Sequence, residues 1–461
     1  MAIAQHQNIC KFSTTLQRTS SGKYSGAPDN KGVEFVIAYM ENYLDTYPLE
    51  LFVTTSRTTI VSVSVTSPKW TTPSINEQFT ITAGEVKQLF IDVTMRLEGS
   101  VKESKGILVT ASDEIVVYGT NKQTNSNDAF LGLPVDVLGT EYYAVTYYPP
   151  YRLNQICVVG VTDATKVNIQ FPTGSTCKDV TYLSQVYNPG DTLTVTLDRF
   201  DAIQIQGWGD LSGAYITSDK PITVFSGNVK TNTGVGTSQD HLLEQLTPVN
   251  TWGKRFATVP TPQRTIGDFY KFIASEANTK VNYKCNLNGQ ISTKSFSMVN
   301  AGDQMELSID SNSFCYMTAD KAVQLTMTVK SQVTTAEPAD PSLIIIPPIE
   351  QYAADYTFAT PKYSQGSYTN YFLFVVVKSE KSGLKLNGAA LPSSAVYVDI
   401  PDTNLVGGYV NIPEGTHTVR HDSPISVFGG CLYGFAPLES YAFPTGMRMA
   451  KINAVSNCVF I

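Results

Sequence analysis

Residues 217–228 read TSDKPITVFSGN. A polar Asp-Lys-Pro group leads into alternating strand-type residues, Ile222 and Val224, and Gly227-Asn228 closes the run. The same shape recurs as ASDEIVVYGTN from Ala111, TADKAVQLTMTV from Thr318 and HDSPISVFGGC from His421. Its corner aspartates, Asp113, Asp219, Asp320 and Asp422, stand about 100 residues apart. A second marker keeps the same step. Small turns precede strands in TAGEVKQLFI, NPGDTLTVTL, NAGDQMELSI and PEGTHTV, with Gly84, Gly190, Gly302 and Gly415 at the turns. Two independent markers with one period predict four copies of one unit, in which the corner aspartates bond the turn backbone.

Working outward, the first copy divides into GVEFVIAYMENY, LELFVTTS, TTIVSVSV, QFTITAGEVKQLFID, GILVTAS and EIVVYGTN, about seven alternating segments in all. Later copies open on EYYAVTYYPP, KRFATVPTP and DYTFATPKY, whose leading aromatics read as core. Seven short antiparallel strands per period predict a two-sheet sandwich. The expected fold is therefore all-β: four tandem Ig-like antiparallel β-sandwich repeats of about 100 residues, at 32–127, 128–239, 240–339 and 340–461. Residues 1–31 form a leader, and the last repeat carries a C-terminal strand. The joints recur as DAFLGLPV from Asp128, DHLLEQLTPV from Asp240 and DPSLIIIPPI from Asp340, each an aspartate before an apolar run that ends in proline. The polar loops before them, NKQTNSN, NVKTNTGVGTSQ and QVTTAEPA, are expected to be exposed, and the apolar runs to pack neighbouring units into a stiff rod or compact ring. A propeller of smaller blades is the rival architecture; the strand count per period favours sandwiches.

Composition narrows the function. The 461-residue chain is 42% hydrophobic and 16% charged, with a mild net charge of −7. Without a basic patch or arginine-rich arm, nucleic acid is not an expected partner. No apolar run is long enough to cross a bilayer, and LIIIPPI reads as a buried strand cut by proline. The start, MAIAQHQNICKFSTT, lacks the layout of a secretion signal, and the chain has no Asn-x-Ser/Thr sequon.

The seven cysteines form no CxxC pair. Cys157 with Cys177, and Cys285 with Cys315, each fall within one repeat and read as intradomain disulfides in preference to buried thiols. Cys431 and Cys458 could close the last repeat onto its tail, which leaves Cys10 for an intermolecular bond or a bond to a missing segment.

No catalytic set emerges, and no cofactor or metal is expected. GWGDLSGAY lacks the G-x-S-x-G elbow. Asp240, His241 and Glu244 could be drawn as an acid–base cluster, but Asp240 recurs as Asp128 and Asp340 where no histidine follows. That recurrence makes it a structural aspartate. His417 and His421 share one face of a strand and could form a weak metal site, but read better as exposed surface histidines. NSND at 125–128 and DSN at 310–312 match no calcium loop.

Several stretches resemble the N-terminal domain of the IgGFc-binding protein family. They are SDKPITVFSGN, the segment SQDHLLEQLTPVNTWGKRFATVP at 238–260, GVEFVIAYMENY, and YGFAPLESYAFPTG at 433–446. The motif residues are His241, Glu244, Gln245, Trp252, Gly253 and Phe256. The resemblance implies a secreted, non-enzymatic binding or adhesion protein of mucus and mucosal surfaces, recognising a glycoprotein, a glycan or a microbial surface. Immunoglobulin Fc is not carried over, since no Fc-contact motif can be matched residue by residue. A second reading is a structural protomer that self-assembles with copies of itself through terminal strands, using Cys10 and the tail AKINAVSNCVFI at 450–461. The tail could equally complete the last repeat.

Overall fold

The computed structural model describes residues 28–44, 47–333, 339–363 and 365–453. Cys10, Cys458 and most of the C-terminal tail lie outside that range. The fold is all-β, made of curled antiparallel sheets with a few short 3-10 turns.

Three long strands, Ile107–Thr120, Tyr215–Thr231 and Ser313–Val329, act as spines. Each changes partners halfway. Ile107–Thr120 pairs first with Gly32–Ile37 and Val61–Thr66, then with Leu49–Thr54 and Ala129–Leu131. Tyr215–Thr231 pairs first with Gly139–Tyr143 and Thr165–Gln170, then with Asn154–Gly160 and Asp240–Gln245. Ser313–Val329 pairs first with Gly253–Thr258 and Thr279–Leu287, then with Asp268–Ala274 and Leu343–Ile345. Near the C-terminus the spine is cut in two. Thr416–His421 takes Asp355–Ala359 and Leu384–Leu386, while Gly429–Ala436 takes Thr369–Val377 and Glu439–Pro444.

The repeated Asp-containing stretch therefore marks the change of partners. Asp113, Asp219 and Asp320 lie within continuous strands, where sequence reading placed a corner between elements. Register shifts beside them let one strand bend from one partner set to the other without stopping. Asp219 and Asp320 accept from the N–H groups of Lys166 and Lys280 on the neighbouring strand, both at 2.8 Å, so they clamp a strand pair and not a turn. Asp113 does bond the next N–H in its own chain, that of Glu114 at 2.7 Å, and pairs with Arg57; Asp422 pairs with Lys385. The second marker is a backbone requirement: Gly84, Gly190, Gly302 and Gly415 all adopt positive φ.

The apolar runs after the joint aspartates pair back onto the preceding spine and also meet one another. Ala129–Leu131 packs against Asp240–Gln245 and Glu439–Pro444, and Leu343–Ile345 packs against the same two strands. Four short strands thus close a circuit at the centre, the ring form of the two geometries expected. The closure is completed where Asn30 donates to the Met447 carbonyl (3.1 Å) and Met449 to that of Pro28 (3.2 Å). Strands that face this centre are buried on both sides, including Leu49–Thr54, Asn154–Gly160 and Asp240–Gln245. Strands away from it keep a wet face, as in Val61–Thr66, where the valines are buried and Ser62 is exposed.

Proline seals each joint. Pro134, Pro248 and Pro348 sit over Gly32, Gly139 and Gly253, and a Cβ on Gly253 would lie 2.2 Å from that of Pro348. Gly253→Ala is expected to cost about 1–3 kcal/mol by overpacking, read as a lower denaturant midpoint. Unchanged stability would show that the joint yields.

Of the expected disulfides, Cys285–Cys315 is present and joins directly opposed residues of Thr279–Leu287 and Ser313–Val329. Cys157 and Cys177 are free and buried, which corrects that pairing. Cys157 stands opposite Gln204 and Phe225, whereas Cys177 abuts Gly209, beyond the Asn154 end of the same strand. Three residues of strand amount to about 10 Å, more than the roughly 7 Å a disulfide spans. Cys431 lies opposite Pro444 on the Glu439–Pro444 strand. Burial pushes the Cys177 thiol up to about 11 and Cys157 higher still. Alkylation of the native chain should leave Cys157 and Cys177 unmodified, and denaturation without reductant should expose both while Cys285 stays bonded to Cys315. A cross-linked Cys157–Cys177 peptide in the mass spectrum would contradict this arrangement.

Candidate functional site

Of the residues singled out by the family-like motif, His241, Glu244 and Gln245 lie on the central strand Asp240–Gln245, where they build structure. Asp128 Oδ2 accepts from the backbone of Leu243 (3.0 Å) and of Leu343 (3.1 Å), tying three stretches of chain together. Asp240 accepts from Asn127 and His241 through Oδ1 and from Ser440 through Oδ2. Glu244 Oε1 accepts from Ile345 N–H (3.1 Å) and Gln245 Oε1 from Leu133 N–H (3.0 Å). Trp252 donates its indole N–H to the Thr247 carbonyl (3.0 Å), and Phe256 is core.

The strand Glu439–Pro444 supplies an acid that sequence reading missed. Glu439 accepts from the Tyr368 hydroxyl (2.6 Å), which also receives a bond from Asn127. The signal was present in ESYAFP, an acid before an apolar run that ends in proline, as in the three joints.

His241 is fully buried. Asn121 Nδ2 lies 3.0 Å from its Nε2 and the Val229 carbonyl 3.2 Å from its Nδ1, an arrangement that suits a neutral ring protonated at Nδ1. Burial pushes its pKa down to about 3. A neutral, sealed imidazole cannot exchange protons with a substrate, so the acid–base drawing of Asp240, His241 and Glu244 fails on access. His417 is also buried rather than exposed, held by Asn387 and the Pro413 carbonyl; His421 is held separately by Glu380 and Ser423. Among the described residues, no group of three or more His, Cys, Asp or Glu side chains is placed to hold a metal ion.

The loop NKQTNSN, expected to be exposed, is mostly buried in this hub. Asn42 donates to the Asn121 carbonyl (2.8 Å) and Arg96 Nε to Asn121 Oδ1 (3.1 Å). The loop 228–239 keeps an exposed tip at Val235, and most of QVTTAEPA lies outside the described residues.

Burial raises the carboxyl pKa values of Asp128, Asp240, Glu244 and Glu439. It brings Asp340 up to about 7, with Lys230 and Arg264 opposing and Glu439 reinforcing. An acid raised in the folded state contributes stability below the ordinary carboxylate range and loses it as pH rises through its folded value. The melting temperature is therefore expected to fall by a few degrees from pH 5.5 to 8.5, and Asp340→Asn to flatten that slope. A native slope of the opposite sign would contradict the assignment.

A large surface opening lies elsewhere. A cleft of about 1010 Å3 runs between the sheets built on Tyr215–Thr231 and Ser313–Val329. At its floor, Gly213 and Gly302, both at positive φ, let the two backbones touch; a Cβ on Gly213 would lie 2.2 Å from the Gly302 carbonyl oxygen. One wall carries Tyr143 and Tyr215, stacked with centroids 4.8 Å apart, and the Tyr215 hydroxyl donates to Glu141. Trp252 packs behind Tyr143 at 5.8 Å, which connects the motif to the cleft. Asp210 joins the walls by accepting from Ser212 N–H (2.9 Å) on one side and from Gln304 on the other. Burial raises the Tyr143 phenol to about 12, and burial plus Glu141 raises Tyr215 as well, so both are neutral at physiological pH.

Fold and site together define a multi-sheet all-β protein with a buried polar hub and a large surface cleft. The sequence pattern of the family described as IgGFc binding protein matches residues 128–434, and the chain belongs to that family. It is 26% identical over 420 residues to the IgGFc-binding protein of Homo sapiens, a match that covers 89% of this chain and 7% of the human protein. Two solved structures are far more distant. A biofilm-associated protein BSP domain covers 93% of this chain and 99% of its own at 7% identity, with a TM-score of 0.17. Trypsin-activated alpha-2-macroglobulin from Escherichia coli covers 92% of this chain and 42% of its own at 8% identity, with a TM-score of 0.13. Neither likeness carries an argument. No helix among the described residues is long and apolar enough to cross a membrane.

Proposed function

We propose that the chain is a secreted, non-enzymatic binding or adhesion module that recognises an extracellular glycoprotein, glycan or microbial surface. We further read it as four tandem Ig-like sandwich units in a ring, with each joint run completing the unit before it. The recurring partner change along the spines supports that reading of the units. Secretion agrees with a disulfide between Cys285 and Cys315, a bond that oxidising compartments favour. The IgG Fc ligand in the family's name is not part of the proposal.

The cleft is the observation that carries recognition. Its walls come from different sheets, and it is large enough for several residues of a ligand. Its tyrosines offer rigid aromatic surface that loses little side-chain entropy on binding. The hub, by contrast, is sealed and occupied with bonds between strands. The test is a panel of mucin glycoproteins and host and microbial glycans, probed with the native chain and with Tyr215→Ala. Binding by the native chain, reduced about tenfold or more by the substitution at unchanged melting temperature, is expected for an aromatic anchor. Binding that the substitution leaves intact would move recognition to another surface.

A further inference from the structure

The cleft also has a distinctive charge. Glu141, Asp210, Glu276 and Asp303 line it, and among the described residues no lysine, arginine or histidine does. Just outside the lining, Lys321 donates to the Ala277 carbonyl beside Glu276, and Lys271 lies behind Ser212. Lys271 is committed to the Thr146 carbonyl (2.7 Å), the Ser212 hydroxyl (3.3 Å) and an ion pair with Glu306 (3.4 Å). Three of the carboxylates are engaged: Asp210 bridges the walls, Asp303 accepts from the backbone of Val299 and Asn300 in the turn, and Glu141 accepts from the Tyr215 hydroxyl. Glu141 and Glu276 are exposed.

A phenol that donates to a carboxylate becomes richer in electron density on its ring faces. Tyr215 is in that position, held by Glu141 and backed on one face by Tyr143. A cation over the free face would meet both the ring quadrupole and the neighbouring carboxylate. An anionic group would meet net negative charge with no lining cation among the described residues to offset it.

Resting on the reading of this cleft as a recognition site, we propose that its guest is a basic peptide segment, with a lysine or arginine side chain seated on Tyr215 beside Glu141. Sulfated or sialylated glycans are excluded from it by charge. The volume exceeds what one side chain fills, so a segment with more than one cationic residue suits it.

Calorimetric titration of the full chain with a blocked peptide of alternating arginine and glycine tests the proposal. Binding at low ionic strength is expected, weakened about tenfold by Glu141→Gln and by Tyr215→Ala. Glu77→Gln, at an exposed carboxylate on the Asn76–Ile81 strand, should leave the affinity unchanged. Equal losses in Glu77→Gln and Glu141→Gln would overturn the proposal, because the attraction would then be diffuse. So would an absence of peptide binding. A neutral tetrasaccharide that binds, and does so less well to Tyr215→Ala, would overturn the basic guest yet keep the cleft as a recognition site. If neither probe responds to Tyr215→Ala, the recognition reading fails too.

Discussion

Buried carboxylates that accept backbone N–H groups from distant stretches of chain hold this structure together. Asp128 reaches Leu243 and Leu343, and Asp240 reaches Asn127 and Ser440. An edge strand at the centre of a ring cannot turn its free N–H groups to water, so each needs an acceptor delivered from elsewhere. Asp128 and Asp240, at the heads of two of the apolar runs, supply such acceptors. Burial of so many acids costs free energy, which the N–H donors offset only in part. The hub is thus a specific closure, and its acids are drawn toward their neutral forms.

That constraint explains why the family-like motif is mostly architectural. His241, Glu244 and Gln245 lie on the central strand Asp240–Gln245, and Gly253 gives Pro348 room to seal a joint. Trp252 is the exception in position, since it supports Tyr143 at the cleft wall. Motif residues and ligand-facing residues are therefore largely different sets, linked through one aromatic contact.

Much of the fold could be read from the chain. Alternation as in VSVSVT shows which strands have a wet face, and the repeated Gly84-type turns mark backbone that needs positive φ. The expected pairing of Cys285 with Cys315 is present, whereas the expected pairing of Cys157 with Cys177, read by the same rule, is absent. Shared membership of a repeat says nothing about distance along a strand. The loop NKQTNSN misled for a related reason: its polar side chains bond Asn42, Arg96 and His241 inside the hub, and composition cannot distinguish a solvated polar loop from a bonded one.

The sequence by itself determined the all-β class and the family, because both depend on local alternation and on motif residues close together in the chain. Only the tertiary structure decided that the ring closes, that Glu439 joins Asp128, Asp240 and Asp340 as a buried acid, and that Tyr143 and Tyr215 wall an acidic cleft. Those features arise where sheets far apart in sequence meet. Contact between them depends on the curl of each sheet and on how neighbouring sheets dock, which no local pattern encodes.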